Sequence, residues 1–268
     1  MSITPLKNAL RRVRCWLATR VHSTVLRGTL LATLLACPLA QAAPQFEDTM
    51  AQRLQACTVC HGAQGRATPN GYQPRLAGKP AGYVFHQLLN FREGRRDYGP
   101  MTSLVDPLSD AYLQEIGEYF ASLDVAYPPP QAPTATPAAL RRGEQLVRRG
   151  DASRGTPACQ QCHGEAMMGV APDIPGLLGL PRDYLNAQLG AWRSGKRHAQ
   201  APDCMAQVAI GLSADDIDAL SQWLAAQTVP AHAKPLPEWP AARKMPLPCG
   251  GVSIEAAPIA GSQPGSLR

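Results

Sequence analysis

At 268 residues the chain holds one large domain or two small ones. Aromatics at 6% and 26 prolines argue against a β-sandwich, and 17% charged residues argue against a coiled coil. The net charge of +6 sits entirely in residues 1–42, and the other 20 basic and 20 acidic residues cancel, so a nucleic-acid footprint is absent.

Residues 1–42 read as a secretory signal peptide. A basic stretch ends at Arg27-Gly28, an apolar run follows over Thr29–Leu39, and Ala40-Gln41-Ala42 supplies the small-x-small cleavage pattern. The apolar run is too short to cross a bilayer, which takes about 17–25 helical residues. A retained anchor and lipid attachment at Cys37 are the alternatives. Secretion places the remainder in an oxidising compartment, the periplasm of a bacterium.

The first half, 43–127, opens with a helix expected over Phe46–Ala56 that runs into Cys57-Thr-Val-Cys60-His61. C-x-x-C-H is the attachment signature of c-type haem. On a helix, positions i, i+3 and i+4 share a face, so two thiols can bond the ring's vinyl groups while the imidazole reaches the iron. A thioredoxin-type motif would not require the histidine, and a zinc site would need four ligands close together. Helices are expected over Gly82–Arg92 and Ser109–Leu123, the second with Ser109 as cap. Between them lies Met101, 40 residues after His61, a thioether placed to ligate iron opposite the imidazole.

Residues 128–137 contain five prolines and read as an extended, semi-rigid linker. The second half, 138–228, then repeats the first. Cys159-Gln-Gln-Cys162-His163 matches the first haem motif, and Pro175-Gly-Leu-Leu-Gly179 matches Pro74-Arg-Leu-Ala-Gly78. Tyr83, Gln87, Leu88 and Arg92 recur as Tyr184, Gln188, Leu189 and Arg193 at an offset of 101. Helices are expected over Leu140–Arg149, Arg182–Arg193 and Ser213–Ala226, with Met205 lying 42 residues after His163. Met50, Met167 and Met168 stand too near the haem motifs to reach round the ring, and Met245 lies in the tail. His86 and His198 hold non-equivalent positions and read as ordinary histidines. Residues 229–268 form a proline-rich tail in which neither regular helix nor strand is expected.

These features make the chain resemble dihaem cytochromes of the cytochrome c4 type. The likeness rests on the two C-x-x-C-H-G motifs, the two P-x-L-x-G segments and the paired methionines, and covers about residues 46–227. It implies an all-α fold of two tandem class I cytochrome c domains, each wrapped round a covalent haem c. Cys57, Cys60, Cys159 and Cys162 would attach the haems; His61, Met101, His163 and Met205 would ligate the irons. The carbonyls of Pro74 and Pro175 would orient the two histidines. The resemblance also implies an electron carrier rather than an enzyme, working between a quinol-oxidising complex and a terminal oxidase or other acceptor. The charge balance leaves out nucleic acid, and the membrane would be met only through partners or an uncleaved N-terminus.

Cys204 and Cys249 are left over in the mature chain. An even pair in an oxidising compartment points to a disulfide that would staple the tail beside Met205 and shield the second haem. In a competing reading, the Cys204 thiolate ligates the second iron, which would point to thiosulfate dehydrogenase-like chemistry. Service as the electron-transfer subunit of a periplasmic dehydrogenase, with the tail as a binding arm, is a further reading. The basic groups Arg92, Arg95, Arg96 and Arg193, Lys196, Arg197 lie at matching helix ends. They suit helix-dipole capping, or else pairing with haem propionates or an acidic partner.

Overall fold

The computed structural model describes residues 47–69 and 71–253, so the signal segment and the end of the tail lie outside the described residues. In the first half come α1 (Met50–Arg53), α2 (Gln55–His61), α3 (Ala81–Arg92), α4 (Gly99–Val105) and α5 (Asp110–Ser122). The second half holds α6 (Pro137–Arg149), α7 (Cys159–His163), α8 (Arg182–Arg193), α9 (Cys204–Ile210) and α10 (Ala214–Ala225). Two short strands, β1 (Gly169–Val170) and β2 (Ile174–Pro175), pair antiparallel in the second half.

The duplication is visible in the packing. Leu113, Ile116 and Phe120 form one apolar stripe on α5, and Ile217, Leu220 and Leu224 form the same stripe on α10. Val84 and Leu88 on α3 meet the first stripe, as Leu185 and Leu189 on α8 meet the second. Ser109 and Ser213 cap α5 and α10 as expected, their side chains accepting from the backbone N–H groups of Tyr112 and Asp216. In the second half α6 crosses α10 closely at Gly143, where an added Cβ would lie 2.2 Å from the Ala219 carbonyl oxygen.

The N-terminal helix differs from expectation. Instead of one helix over 46–56 there are two, because the backbone turns at Leu54 (φ −93°, ψ 13°) and drives that side chain into the core; Phe46 lies outside the described residues. Helix α6 begins three residues before the expected Leu140, at Pro137, since Thr136 caps it and proline suits the first helical position. The short helices α4 and α9, which carry the two methionines, were not anticipated. Pro100 and Gly99 open α4, and Asp203 caps α9 by accepting from the Ala206 N–H.

An ion-pair network locks the second half. Arg142 and Arg154 each bridge Asp151 and the buried Asp216. Burial works against the charge on Asp216, but bonds from Arg154, Arg142 and Ser213 outweigh it and hold the carboxyl well below its usual range.

The proline-rich segment between the halves is extended but not loose. Gln131 N–H donates to the Ala225 carbonyl at 2.8 Å, and the N–H groups of Thr134 and Ala135 both donate to Gln222 Oε1 at 2.8 Å. The segment therefore lies along the second half. The tail begins against Asp124 of the first half, which His232 and Lys234 meet at 2.9 and 3.6 Å, and then follows the second: Leu236 makes a single bridge with Val170, through bonds to Gly169 and Ala171, and Arg243 pairs with Glu165 at 3.0 Å.

Candidate functional site

Each C-x-x-C-H motif closes a short helix, α2 or α7, with the histidine as its last residue. The following glycine ends the helix with a positive φ, 75° at Gly62 and 80° at Gly164. At Gly62 a Cβ would lie 2.3 Å from the Ala67 carbonyl oxygen, so this sharp exit needs glycine. The four motif thiols form no disulfide.

Both histidines are buried. His61 Nδ1 lies 2.8 Å from the Pro74 carbonyl and His163 Nδ1 lies 2.7 Å from that of Pro175. A carbonyl can only accept, so each Nδ1 carries the proton and each Nε2 keeps its lone pair for a metal. Burial, partly opposed by the proline carbonyl, pushes both imidazoles below their ordinary value and keeps them neutral. Burial also pushes the Cys159 thiol up to about 12 and raises Cys57 and Cys162. These are apolar thiol sites, suited to thioether bonds rather than to free thiolates.

Met101 is the third residue of α4 and packs against the first core; Met205 is the second residue of α9 and packs against the second. In the second half Cys159, Cys162, His163 and Met205 line one cavity with Leu189 and Leu220. That donor set in an apolar crevice fits haem c: two thiols for the ring, and one imidazole and one thioether for the iron. An orphaned polar atom supports the fit, because Nε of Arg197, a residue lining the same cavity, is buried without a hydrogen-bond partner. A propionate is the kind of acceptor it lacks.

The arginines at the helix ends also make contacts between the halves that the sequence does not predict. Arg96 and Arg197 face each other in an antiparallel bridge between the halves, and Arg197 is buried. Arg96 donates to Gln87 and Gln188 at 3.1 and 3.0 Å; Arg197 donates to the same two oxygens at 2.9 and 2.5 Å. Their guanidinium groups lie over Phe91 and Trp192 at 4.2 and 3.6 Å. Burial, and then the nearby Arg197, push Arg96 down to about 10. These two side chains thus neither cap their helices nor offer a free basic patch. Arg92 instead pairs with Asp110 at 2.5 Å. His198 is exposed, and its N–H joins the interface by donating to the Arg95 carbonyl at 2.7 Å. His86 lies 3.6 Å from Asp173 of the other half.

Cys204 and Cys249 form a disulfide with Cα atoms 5.1 Å apart. The Cys204-thiolate reading is thereby overturned, since a disulfide sulfur offers no thiolate to iron. The bridge holds the tail against the second cavity, whose wall includes Met245, Leu247 and Val252. No sequence signal places Met245 there. Arg75 was likewise overlooked: it is buried beside Pro74, donates to the carbonyls of Ala77, Val125 and Ala126, and stacks 3.9 Å from the Tyr127 ring. It anchors the loop that orients His61. Its only sequence signal was a charge inside an otherwise apolar repeat segment.

No family model matches the chain. A thiosulfate dehydrogenase electron acceptor of Thiomonas intermedia (strain K12) is 38% identical over 200 residues, covering 75% of this chain and 88% of that protein. Cytochrome c4 of Pseudomonas aeruginosa is 34% identical over 198 residues, covering 73% of this chain and 95% of that protein. The crystal structure of reduced cytochrome c4 from Pseudomonas stutzeri superposes with a TM-score of 0.58 at 32% identity, covering 66% of this chain and 96% of that one. With the repeated haem motifs, the paired all-α halves and these likenesses together, the chain belongs to the cytochrome c4 family of dihaem c-type cytochromes, and its cofactors are two covalently bound haem c groups.

Proposed function

We propose that the protein is a periplasmic carrier that takes single electrons from a dehydrogenase and passes them to a terminal oxidase or another acceptor. Thiosulfate dehydrogenase is the donor placed first. The observation that carries this choice is the 38% identity with a thiosulfate dehydrogenase electron acceptor over most of that protein's length.

In this reading Cys57 and Cys60 hold the first haem and Cys159 and Cys162 the second. Haem iron supplies the one-electron exchange. His61 and Met101 would ligate the iron in the first half, and His163 and Met205 in the second. With those four residues as ligands no iron position would be left for a substrate, and the chain's work would be to set potentials and hold the two centres rigidly. The proline carbonyls fix the imidazoles, and the paired arginines and glutamines fix one half against the other. Redox partners of such carriers dock through small, short-lived interfaces.

Oxidised protein mixed with catalytic amounts of thiosulfate dehydrogenase and excess thiosulfate should develop the reduced haem c spectrum at both haems. A protein that stays oxidised in that mixture, yet is reduced by a quinol-oxidising complex, contradicts this choice of donor.

A further inference from the structure

Three cations gather where the halves meet: Lys79, Arg96 and Arg197. Arg197 disfavours the charge on each of the other two. The two arginines are satisfied in part by the neutral glutamines Gln87 and Gln188. Lys79 has no such partner. Its Nζ lies over the Tyr83 ring, 5.6 Å from the ring centre, and among the described residues no carboxylate forms an ion pair with it.

Lys79 belongs to the first half, yet it lines the cavity of the second, together with His163, Pro175 and Met205. An ammonium at the wall of an apolar cavity is costly unless an anion meets it. The repeat shows that this charge is not part of the shared haem-binding pattern. Gly78-Lys79-Pro80 aligns with Gly179-Leu180-Pro181, so the second half has a buried leucine where the first has the lysine.

We propose that Lys79, supplied by the first half, binds a propionate of the haem held by the second half and raises that haem's potential. The sign follows from charge: reduction adds an electron to the haem, and a fixed cation nearby favours the reduced form. The effect is one-sided, because Leu180 offers nothing equivalent in return. The two haems would then differ in potential partly through a single cross-half contact. The inference rests on haem attachment at Cys159 and Cys162, not on the identity of the electron donor.

The test compares Lys79→Met and Lys79→Arg with the wild-type protein. Intact mass first establishes that two haems are attached in each, which separates a failure of haem loading from a failure of the proposal. Spectroelectrochemical titration then gives both potentials. The second haem is identified by adding Met205→His, which moves the potential of the haem it faces. Lys79→Met should lower the equilibrium constant for reducing the second haem at least tenfold, about 59 mV for one electron. The first haem should move less, and Lys79→Arg should restore most of the loss. Equal shifts at both haems, no shift at either, or an arginine variant that behaves like methionine would overturn the proposal.

Discussion

Serine at both Cys204 and Cys249 is expected to destabilise the second half by roughly 4 kcal/mol, the loop-closure estimate for a bridge spanning 45 residues. The large effect comes from what the bridge holds. Without it, the tail is kept in place by separate contacts: the Leu236 bridge, the His232 and Lys234 pairs with Asp124, the Arg243–Glu165 pair, and bonds from the N–H groups of Gly250 and Ser253 to Pro202 and Asp173. Exposed ion pairs of this kind contribute little, typically under about 1 kcal/mol. Release of the tail would carry Met245, Leu247 and Val252 away from the second cavity and let water in. Guanidinium unfolding followed by haem absorbance and circular dichroism should show the loss as a lower midpoint. An unchanged midpoint would mean that the tail adds nothing to the fold.

The second large effect is expected at the methionines. Met205→His should lower the potential of the second haem by tenths of a volt, within the roughly 0.8 V range that axial ligands command. Met101→His should do the same to the first. The reasoning is local. Each methionine stands in the first turn of a short helix, at the same place relative to the last helix of its half, and packs against the core that also contacts the motif cysteine. Thioether sulfur stabilises reduced iron and imidazole less so, hence the direction. Potentials left unmoved by both substitutions would show that the ligands are other residues.

Much of this architecture was legible because duplication writes each feature twice. The haem motifs and the serine caps of the final helices follow from short-range rules, the proline carbonyls behind the histidines from the family resemblance, and each found its partner about a hundred residues on. The disulfide was legible by counting cysteines. What escaped the sequence depends on long-range placement. Arg96 and Arg197 look like helix-end charges in a linear chain; only the meeting of the halves turns them toward Gln87 and Gln188. Leu54 gives no local sign of the turn that splits the first helix, since that turn is set by burial in the core. The helices α4 and α9 are seven residues each, too short for apolar periodicity to reveal. The linker's prolines correctly signalled extended chain, but its attachment along Gln222 and Ala225 is written in the other half.

In the proposed function two irons would each carry one histidine and one methionine and serve electron transfer alone. Low-temperature EPR of the oxidised protein, recorded with the near-infrared charge-transfer band, tests it most directly. Two low-spin signals with the histidine–methionine band at both haems are the predicted result. A thiolate-type signal, or a high-spin iron with an open position, would contradict the account and return the protein to the enzymes.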